Sequence, residues 1–238
     1  MNKFFDASHN IIWLFSIFTI KKWCVKNSPQ KYVLLTDVAG SRQIKDRKSF
    51  EKKWDGTLKE VQKQYAPVFE MHMQVWKGLD EAAALLKEPW RLYNVMDRID
   101  DGIAPYKMRF VVVKGRVDVM PADGSIFKAD GEAFHQAAAR MLDLKREGLK
   151  FSCHTGNEAF DKAWSAQLNL LWLVKSGWTE RQRTVYRLYG ETGRQEEVAR
   201  RLHISQQQVS KTLQSIAAAQ VQALEKTSLE WAEMELKN

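Results

Sequence analysis

The sequence contains little cysteine, proline or glycine: 2 Cys, 5 Pro and 12 Gly among 238 residues. Cys24 and Cys153 are too few and too far apart to form a disulfide framework or a cysteine-rich zinc site. The low proline and glycine content excludes collagen-like and low-complexity chains, and 45% hydrophobic with 28% charged residues is typical of a globular protein. We therefore expect a reduced, cytoplasmic protein with one large domain, or with a medium domain and a small module.

A long hydrophobic run is also lacking. The longest apolar stretch extends from Ile11 to Ile20, which is shorter than the roughly 20 residues that a membrane-spanning helix needs. A secretory signal has its positive charges before the apolar stretch, whereas Lys21 and Lys22 follow this one. We expect residues 1–30 to form an apolar, helical N-terminal extension without a stable membrane span. A membrane-surface anchor stays open as the alternative.

Positive charge exceeds negative charge. The chain has 37 Lys and Arg against 29 Asp and Glu, a formal net charge of +8, and a pI near 9.4. A positive potential attracts phosphate backbones. The composition therefore permits a polyanionic partner without identifying it.

Strand and helix patterns alternate over residues 31–156, which indicates an α/β or α+β domain with helices on at least one face of a sheet. The stretches KYVLLTDVAGSR, VFEMHMQVW, MRFVVVKGRVDV and LKFSCHTG have the apolar, β-branched character of strands. Asp46 is placed to cap one helix, and Gly148 is placed to end another. We also predict a helix over residues 80–103 that is interrupted or restarted at Pro89.

The remaining residues are almost purely helical. An apolar stripe predicts a connecting helix over residues 157–177, docked between the two parts of the chain. A helical segment follows over residues 178–218, and a C-terminal helix over residues 219–238. The boundary between the two parts is expected within the connecting helix.

The segment 178–218 has the pattern of three short helices around a small core. Thr179 and Ser205 are placed as N-caps. The small side chain of Ala199 allows a neighbouring helix to approach, the stretch HIS forms a tight corner, and Ile204 fills the core. This pattern predicts a helix-turn-helix. The expected buried stripes consist of Val185, Leu188, Val198, Leu202, Val209, Leu213 and Ile216.

The opposite face of the last of these helices has polar side chains of suitable length to meet base edges in a DNA major groove. Gln, for example, pairs with adenine through two hydrogen bonds. Any amphipathic helical hairpin has a polar outer face, so the alternative is that these helices only pack on the protein's own core. The candidate DNA-binding residues are Gln206, Gln207, Ser210, Lys211 and Gln214, with Arg200 and Arg201 as phosphate contacts.

The charge of the segment is modest. Seven Lys or Arg and four Glu lie between Trp178 and Ile216, which leaves a net charge of +3. Affinity for DNA depends strongly on the number of phosphates that are neutralised. We therefore expect tight binding to need a dimer, a second contact surface or a partner.

The stretch TERQRTVYRLY…QEEVARRLHISQQQVSKTL resembles the helix-turn-helix of sigma-factor region 4 and of related response-regulator output domains. The resemblance implies DNA binding. Those families usually have Gly at the corner where His203 stands, and His adopts the left-handed conformation less readily than Gly. His203 therefore predicts a corner of slightly different or strained geometry.

A second resemblance covers roughly residues 31–216. The stretches KYVLLTDVAGSR, MRFVVVKGRV and DGEAFHQAAARM, followed by a helix-turn-helix, resemble the SatD family of bacterial proteins. The resemblance implies a bacterial cytoplasmic protein whose sheet is distantly similar to the ferredoxin-like palm of nucleotide cyclases. We therefore expect an α+β fold, a ferredoxin-like or cyclase-like palm sheet with helices, followed by an all-α helix-turn-helix module.

The sheet domain is expected to be non-catalytic. Phosphoryl-transfer palms hold two metal ions with carboxylates from two neighbouring strands. Asp37 ends the first strand, but Met73, Gln74 and Val75 stand where the hairpin of such a palm has Gly, Asp and Glu. We therefore expect no catalytic residue, no bound metal and no cofactor.

Asp37, Ser41 and Arg42 are the ligand-binding candidates of the sheet domain. Arg42 is placed to meet a phosphate or to pair with Asp37, although AGSR lacks the Lys-Ser/Thr pair of a phosphate-binding loop. Otherwise Asp37 is a loop residue that binds the backbone of VAGSR. Neighbouring Cys153 and His154 point to opposite faces of a strand, which excludes a nucleophilic pair.

These patterns favour a DNA-binding protein, a transcriptional regulator whose non-catalytic α/β domain senses a ligand or mediates self-association as a homodimer. The alternative is a nucleotide-binding protein or a degenerate nucleotidyl-transfer enzyme whose helical module only docks partners. Exposure of the polar helix face distinguishes DNA binding from internal packing.

Overall fold

The computed structural model describes residues 30–78 and 80–237, so the predicted N-terminal extension lies outside the described residues except for Gln30. Five strands and eight α-helices form within these ranges, and none of these helices is both long and apolar enough to cross a membrane. The strands are β1 (Gln30–Ala39), β2 (Phe69–Lys77), β3 (Glu81–Leu86), β4 (Lys107–Arg116) and β5 (Phe151–His154). The helices are α1 (Arg47–Gln64), α2 (Leu92–Ile103), α3 (Glu132–Glu147), α4 (Glu158–Ser176), α5 (Glu180–Thr192), α6 (Gln195–Leu202), α7 (Gln206–Ser215) and α8 (Ala218–Leu236).

The strands form one mixed sheet in the order β2-β3-β1-β4-β5. Strand β1 is antiparallel to both of its neighbours, β3 and β4, whereas β5 is parallel to β4. From β1 to β4 the elements follow the order β-α-β-β-α-β, which is that of a ferredoxin-like fold. The expected α+β class is therefore confirmed, and β5 extends the sheet at one edge.

Both faces of the sheet are covered because the central strands are apolar on both sides. Strand β1 buries Val33 and Leu35 in one cluster, and Leu34 and Val38 in another. Successive side chains of a strand alternate between its faces, so each cluster fills one face. The first face packs against α3, and the second packs against α1, α2 and α4.

The helix predicted over residues 80–103 is wrong in its first half. Residues Glu81–Leu86 form β3, which pairs with both β1 and β2, and α2 begins only at Leu92. The alanines of this stretch favour a helix, but propensity differences between ordinary residues amount to less than about 1 kcal/mol each. Pairing with two strands and complete burial of Ala82, Ala83 and Ala84 outweigh that preference.

The C-terminal helices share one hydrophobic core with the sheet. Trp164 of α4 is buried, and its indole Nε1 donates a hydrogen bond to Ser228 Oγ of α8 at 2.9 Å. Phe160 of α4 packs edge-on against Trp231 of α8, with 5.0 Å between the ring centroids. The predicted connecting helix is therefore present as α4, and α8 lies against it. Buried residues of α4 to α8 belong to the cluster that includes Leu34 of β1.

A buried ion cluster also joins the two halves of the chain. Lys175 of α4, whose side chain is 5% exposed, donates hydrogen bonds to Asp97 of α2 and, at 3.1 Å, to Glu225 of α8. Tyr93 of α2 and Tyr186 of α5 donate their hydroxyls to Glu225, each at 2.6 Å. Burial lowers the pKa of Lys175, but the charges of Asp97 and Glu225 outweigh burial and hold this pKa above its ordinary value. The cluster therefore links α5 to α2, α4 and α8.

Candidate functional site

Helix α5 begins and ends with clear capping signals. Thr179 Oγ1 accepts a hydrogen bond from the backbone N–H of Gln182 at 3.2 Å, and Gln182 Oε1 accepts one from the backbone N–H of Thr179 at 2.8 Å. This reciprocal pair is a capping box. Gly193, with a φ of 66°, ends the helix in the left-handed conformation. The N-cap predicted at Thr179 is confirmed.

The corner between α6 and α7 consists of His203, Ile204 and Ser205. His203 has left-handed φ and ψ of 53° and 45°, a conformation that Gly adopts more readily. The backbone N–H of Ile204 donates to the carbonyl of Ala199 at 3.0 Å. Ser205 Oγ accepts from the backbone N–H of Gln208 at 3.2 Å, and Gln208 Oε1 accepts from the N–H of Ser205. The corner is therefore tight, and Ser205 caps the N-terminus of α7.

The inner faces of α5, α6 and α7 form the apolar interface that the sequence spacing predicts. Ala199 is 6% exposed, and its small side chain permits close packing of the adjoining helix. Leu202 and Ile204 are half-buried at the margin of the same core. The fully buried members are Val185, Leu188, Val198, Val209, Leu213 and Ile216.

The outer face of α7 is open to solvent. Gln206, Gln207, Lys211 and Gln214 are exposed, and Ser210 is half-buried. Gln207, Lys211 and Gln214 lie on the side of α7 opposite to Val209 and Leu213, with Ser210 at its margin, whereas Gln206 lies on the side of Val209 and is exposed because it begins the helix. The face is not used for packing against the described part of the chain.

Arg200 and Arg201 are exposed, but both contact acids of their own chain. Glu197 pairs with Arg200 and, at 2.9 Å, with Arg201 Nε, and Arg201 also lies 3.8 Å from Glu191. The two arginine side chains are 77% and 48% exposed. Surface pairs of this kind contribute at most about 1 kcal/mol, so an incoming phosphate is able to replace Glu197. Glu197 lies three and four residues before the two arginines on the same helix, and this spacing alone predicts that they pair.

Asp37 does not pair with Arg42, and it is not a loop residue. It lies within β1 and is 3% exposed. Its carboxylate lies 3.0 Å from Arg109 Nη1 and 2.6 Å from Lys145 Nζ. Arg109 is its cross-strand partner on β4, whereas Lys145 extends from α3. Both carboxylate oxygens therefore face a cation of the protein itself. The predictions for Asp37 were wrong because its partners lie far away in the sequence.

The expectation that the hairpin lacks acids is also wrong. The turn between β2 and β3 includes Asp80, and β3 begins with Glu81, which is the cross-strand neighbour of Asp37. Lys145 lies 3.4 Å from Glu81 as well, so this pair of acids is partly neutralised by a lysine. Within residues 30–78 and 80–237 no group of three or more His, Cys, Asp or Glu is arranged to hold a metal ion.

Ser41 and Arg42 line a small pocket of about 390 Å³ beside the end of β1. Arg47 of α1 and the acids Asp80 and Glu81 of the hairpin line it too. The structure therefore brings Ser41 and Arg42 together, but Asp37 is not part of this lining.

The remaining candidates from the sequence form no reactive centre. Burial raises the pKa of the Cys153 thiol well above its ordinary value, which suppresses the thiolate that acts as a nucleophile. His154 Nδ1 lies 3.5 Å from the buried Asp161, whose carboxylate also accepts hydrogen bonds from the backbone N–H and the hydroxyl of Thr155. The cluster is therefore a structural anchor at the end of β5.

Comparison with known proteins gives a family match and similar solved structures. The model of the SatD family matches residues 32–226. No curated protein matches the chain. Among solved structures, a bacterial light-regulated adenylyl cyclase is similar with a TM-score of 0.39 and 12% sequence identity. The alignment covers 64% of this chain and 57% of the cyclase chain, so this chain spans less than two thirds of that protein.

Proposed function

The chain belongs to the SatD family, and we propose that it is a DNA-binding protein, a transcriptional regulator that uses α6 and α7 as a helix-turn-helix. The family match extends from β1 into α8. It therefore includes both the sheet and the proposed DNA-binding helices.

The observation that carries the proposal is the contrast between the two faces of α7. One face is buried, and the other presents Gln207, Lys211 and Gln214 to solvent, while Gln206 is exposed at the start of the helix. In a helix-turn-helix the second helix enters the major groove and its polar side chains meet base edges. Helices of 8 and 10 residues joined by a three-residue corner suit that arrangement.

The local charge favours binding as a homodimer. The net charge of +3 between Trp178 and Ile216 is small, and Glu197 competes for Arg200 and Arg201. A module that neutralises few phosphates binds DNA weakly, and its affinity depends only slightly on salt. Two copies on two half-sites neutralise twice as many phosphates. We place self-association in the sheet half of the chain.

The contacts of Asp37 support a non-catalytic sheet domain. The positive charges of Arg109 and Lys145 beside the Asp37 carboxylate already neutralise it and repel a metal cation. Ser41, Arg42 and Arg47 around one pocket favour nucleotide binding as the second candidate function. Equilibrium dialysis with a labelled nucleoside triphosphate tests it: binding that Arg42→Gln abolishes would support it, and absence of binding rejects it.

A direct titration tests the proposed function. The full chain is titrated into a labelled mixed-sequence duplex, and we expect Lys211→Gln to weaken binding to all sequences and to lower the salt slope by about one unit. Lys226→Gln is the matched control, because Lys226 is an exposed lysine of α8 outside the proposed interface. Equal effects of the two substitutions would contradict a specific role for α7.

A further inference from the structure

A large cleft lies away from both candidate sites. It has a volume of about 1050 Å³ and is bounded by the α2–β4 loop, the α3–β5 loop, α4 and the beginning of α5. Pockets for small molecules usually measure about 300–1,000 Å³. The cleft therefore has room for a small organic ligand.

The walls of the cleft include several basic side chains. Five basic and two acidic residues line it, and three of the five, Lys150, Lys162 and Lys175, are paired with acids of the chain. Arg183 Nη2 donates to the carbonyl of Lys175 at 2.7 Å, and neither Arg183 nor Lys107 forms an ion pair with another described residue. Two cations at the cleft are thus available to an anion.

Lys150 adds a cation that is poorly solvated. Its Nζ lies 2.5 Å from Asp100 and 5.0 Å from the centre of the Trp172 ring. Burial lowers the pKa of Lys150 even though Asp100 opposes that effect. A second negative charge nearby would stabilise the ammonium group.

The same walls expose large apolar side chains. Leu149, Leu170 and Leu173 are 42%, 59% and 68% exposed, and all three line the cleft together with Trp172 and Trp178. A ligand that covers exposed apolar area of this kind removes it from water, which favours binding. A ligand for this cleft therefore combines an apolar body with a negative charge.

We propose that this cleft binds a small organic anion with an aromatic or branched aliphatic body, and that the anion is the effector of the protein. The negative group pairs with Arg183 and Lys107, and the apolar body covers Leu170, Leu173 and Leu149. The assignment of an effector role rests on the proposed DNA-binding function, whereas the binding site itself does not.

The position of the cleft explains how such an anion would act. Trp178, Glu180 and Arg183 belong to the start of α5 and its preceding turn, and they form one wall. The opposite wall comes from the sheet and from α4. A ligand that contacts both walls favours one placement of α5, and a ligand that alters DNA affinity must itself bind differently when DNA is present.

Two fluorescent probes test the site without DNA. Anilinonaphthalene sulfonate is an apolar anion, and N-phenylnaphthylamine has the same rings without the charge. With the full chain we expect the double variant Lys107→Gln and Arg183→Gln to weaken binding of the sulfonate about tenfold, which corresponds to roughly 1.4 kcal/mol. The neutral probe should bind this variant as it binds the wild type.

A second substitution locates the apolar wall. Leu170→Asp should weaken the binding of both probes, whereas Leu142→Asp should not, because Leu142 is 64% exposed on α3 outside the cleft. The proposal would be overturned if Leu170→Asp left the binding of both probes unchanged. The same result is expected if another part of the chain fills the cleft, and it would overturn the proposal as well. So would equal loss of both probes in the double variant. Neither probe assay contains DNA, so neither result tests the proposed DNA-binding function.

Discussion

At the scale of single residues, the left-handed backbone of His203 is a point where the residue type and the backbone geometry conflict. Its φ of 53° is one of two positive values among the described residues other than glycine. A side chain in this region costs roughly 1–2 kcal/mol relative to the ordinary helical region. The corner retains this conformation because the flanking helices share one core.

We therefore predict that His203→Gly changes the free energy of unfolding by less than about 1 kcal/mol, with stabilisation the expected sign. Gly removes the strain, and its greater freedom in the unfolded chain offsets part of that gain. His203→Val should destabilise the protein by more, because β-branched residues tolerate this region poorly. Urea unfolding measures both variants, and equal destabilisation by Gly and Val would contradict the account.

Glu197 provides a second test at this scale. We predict that Glu197→Gln strengthens binding to DNA of any sequence, because it releases Arg200 and Arg201 from their internal partner. If both arginines then meet phosphates, the slope of log affinity against log salt steepens by up to about two units. Glu230→Gln, which removes the partner of Lys226 on α8, is the control. No difference between the two variants would show that the arginines do not contact DNA.

Residue partners distant in the chain could not be predicted from the sequence. The sequence identified Asp37 as a candidate, but Arg109 and Lys145 meet it only because β4 pairs with β1 and α3 covers that face of the sheet. Glu197 is different, because its partners lie three and four residues along the same helix. Local spacing therefore predicts the pairs of Glu197 within one helix, but not the pairs of Asp37 with distant elements.

At the scale of elements, the same division holds. The corner and caps around α6 and α7 depend on neighbouring residues, so HIS and its flanking stripes predict them. Strand β3 depends on two partner strands, whereas the alanines between Glu81 and Leu86 on their own predict a helix. Tertiary pairing decides the state of a short apolar segment whose own preference is weak.

The cap of α7 gives a prediction at this scale. Ser205→Ala removes the acceptor for the backbone N–H of Gln208 and should lower the free energy of unfolding by about 1 kcal/mol. Ser210→Ala, within the same helix but not at its cap, should change it by much less. Comparable decreases in the two variants would mean that Ser205 does not hold the helix start.

At the scale of the whole molecule, one core and one ion cluster unite the sheet and the C-terminal helices. We predict that Lys175→Met lowers the free energy of unfolding by about 3–5 kcal/mol, because it leaves Asp97 and Glu225 without their cation in a buried place. The Lys175→Met variant should still unfold in a single transition. Lys226→Met, an exposed neighbour on α8, should have little effect. A separate transition for the helices in the wild type would contradict the shared core.

The measurement that tests the central claim most directly is selection of DNA by the full chain from a randomised duplex pool at two salt concentrations. We predict enrichment of a defined sequence and tighter binding at low salt. The double variant Gln207→Ala and Gln214→Ala should keep its circular dichroism spectrum and lose discrimination, since each good base contact is worth about 1–3 kcal/mol. A wild-type chain that enriches no sequence and binds no more tightly at low salt would contradict the account, and α5 to α7 would then serve only to pack the core.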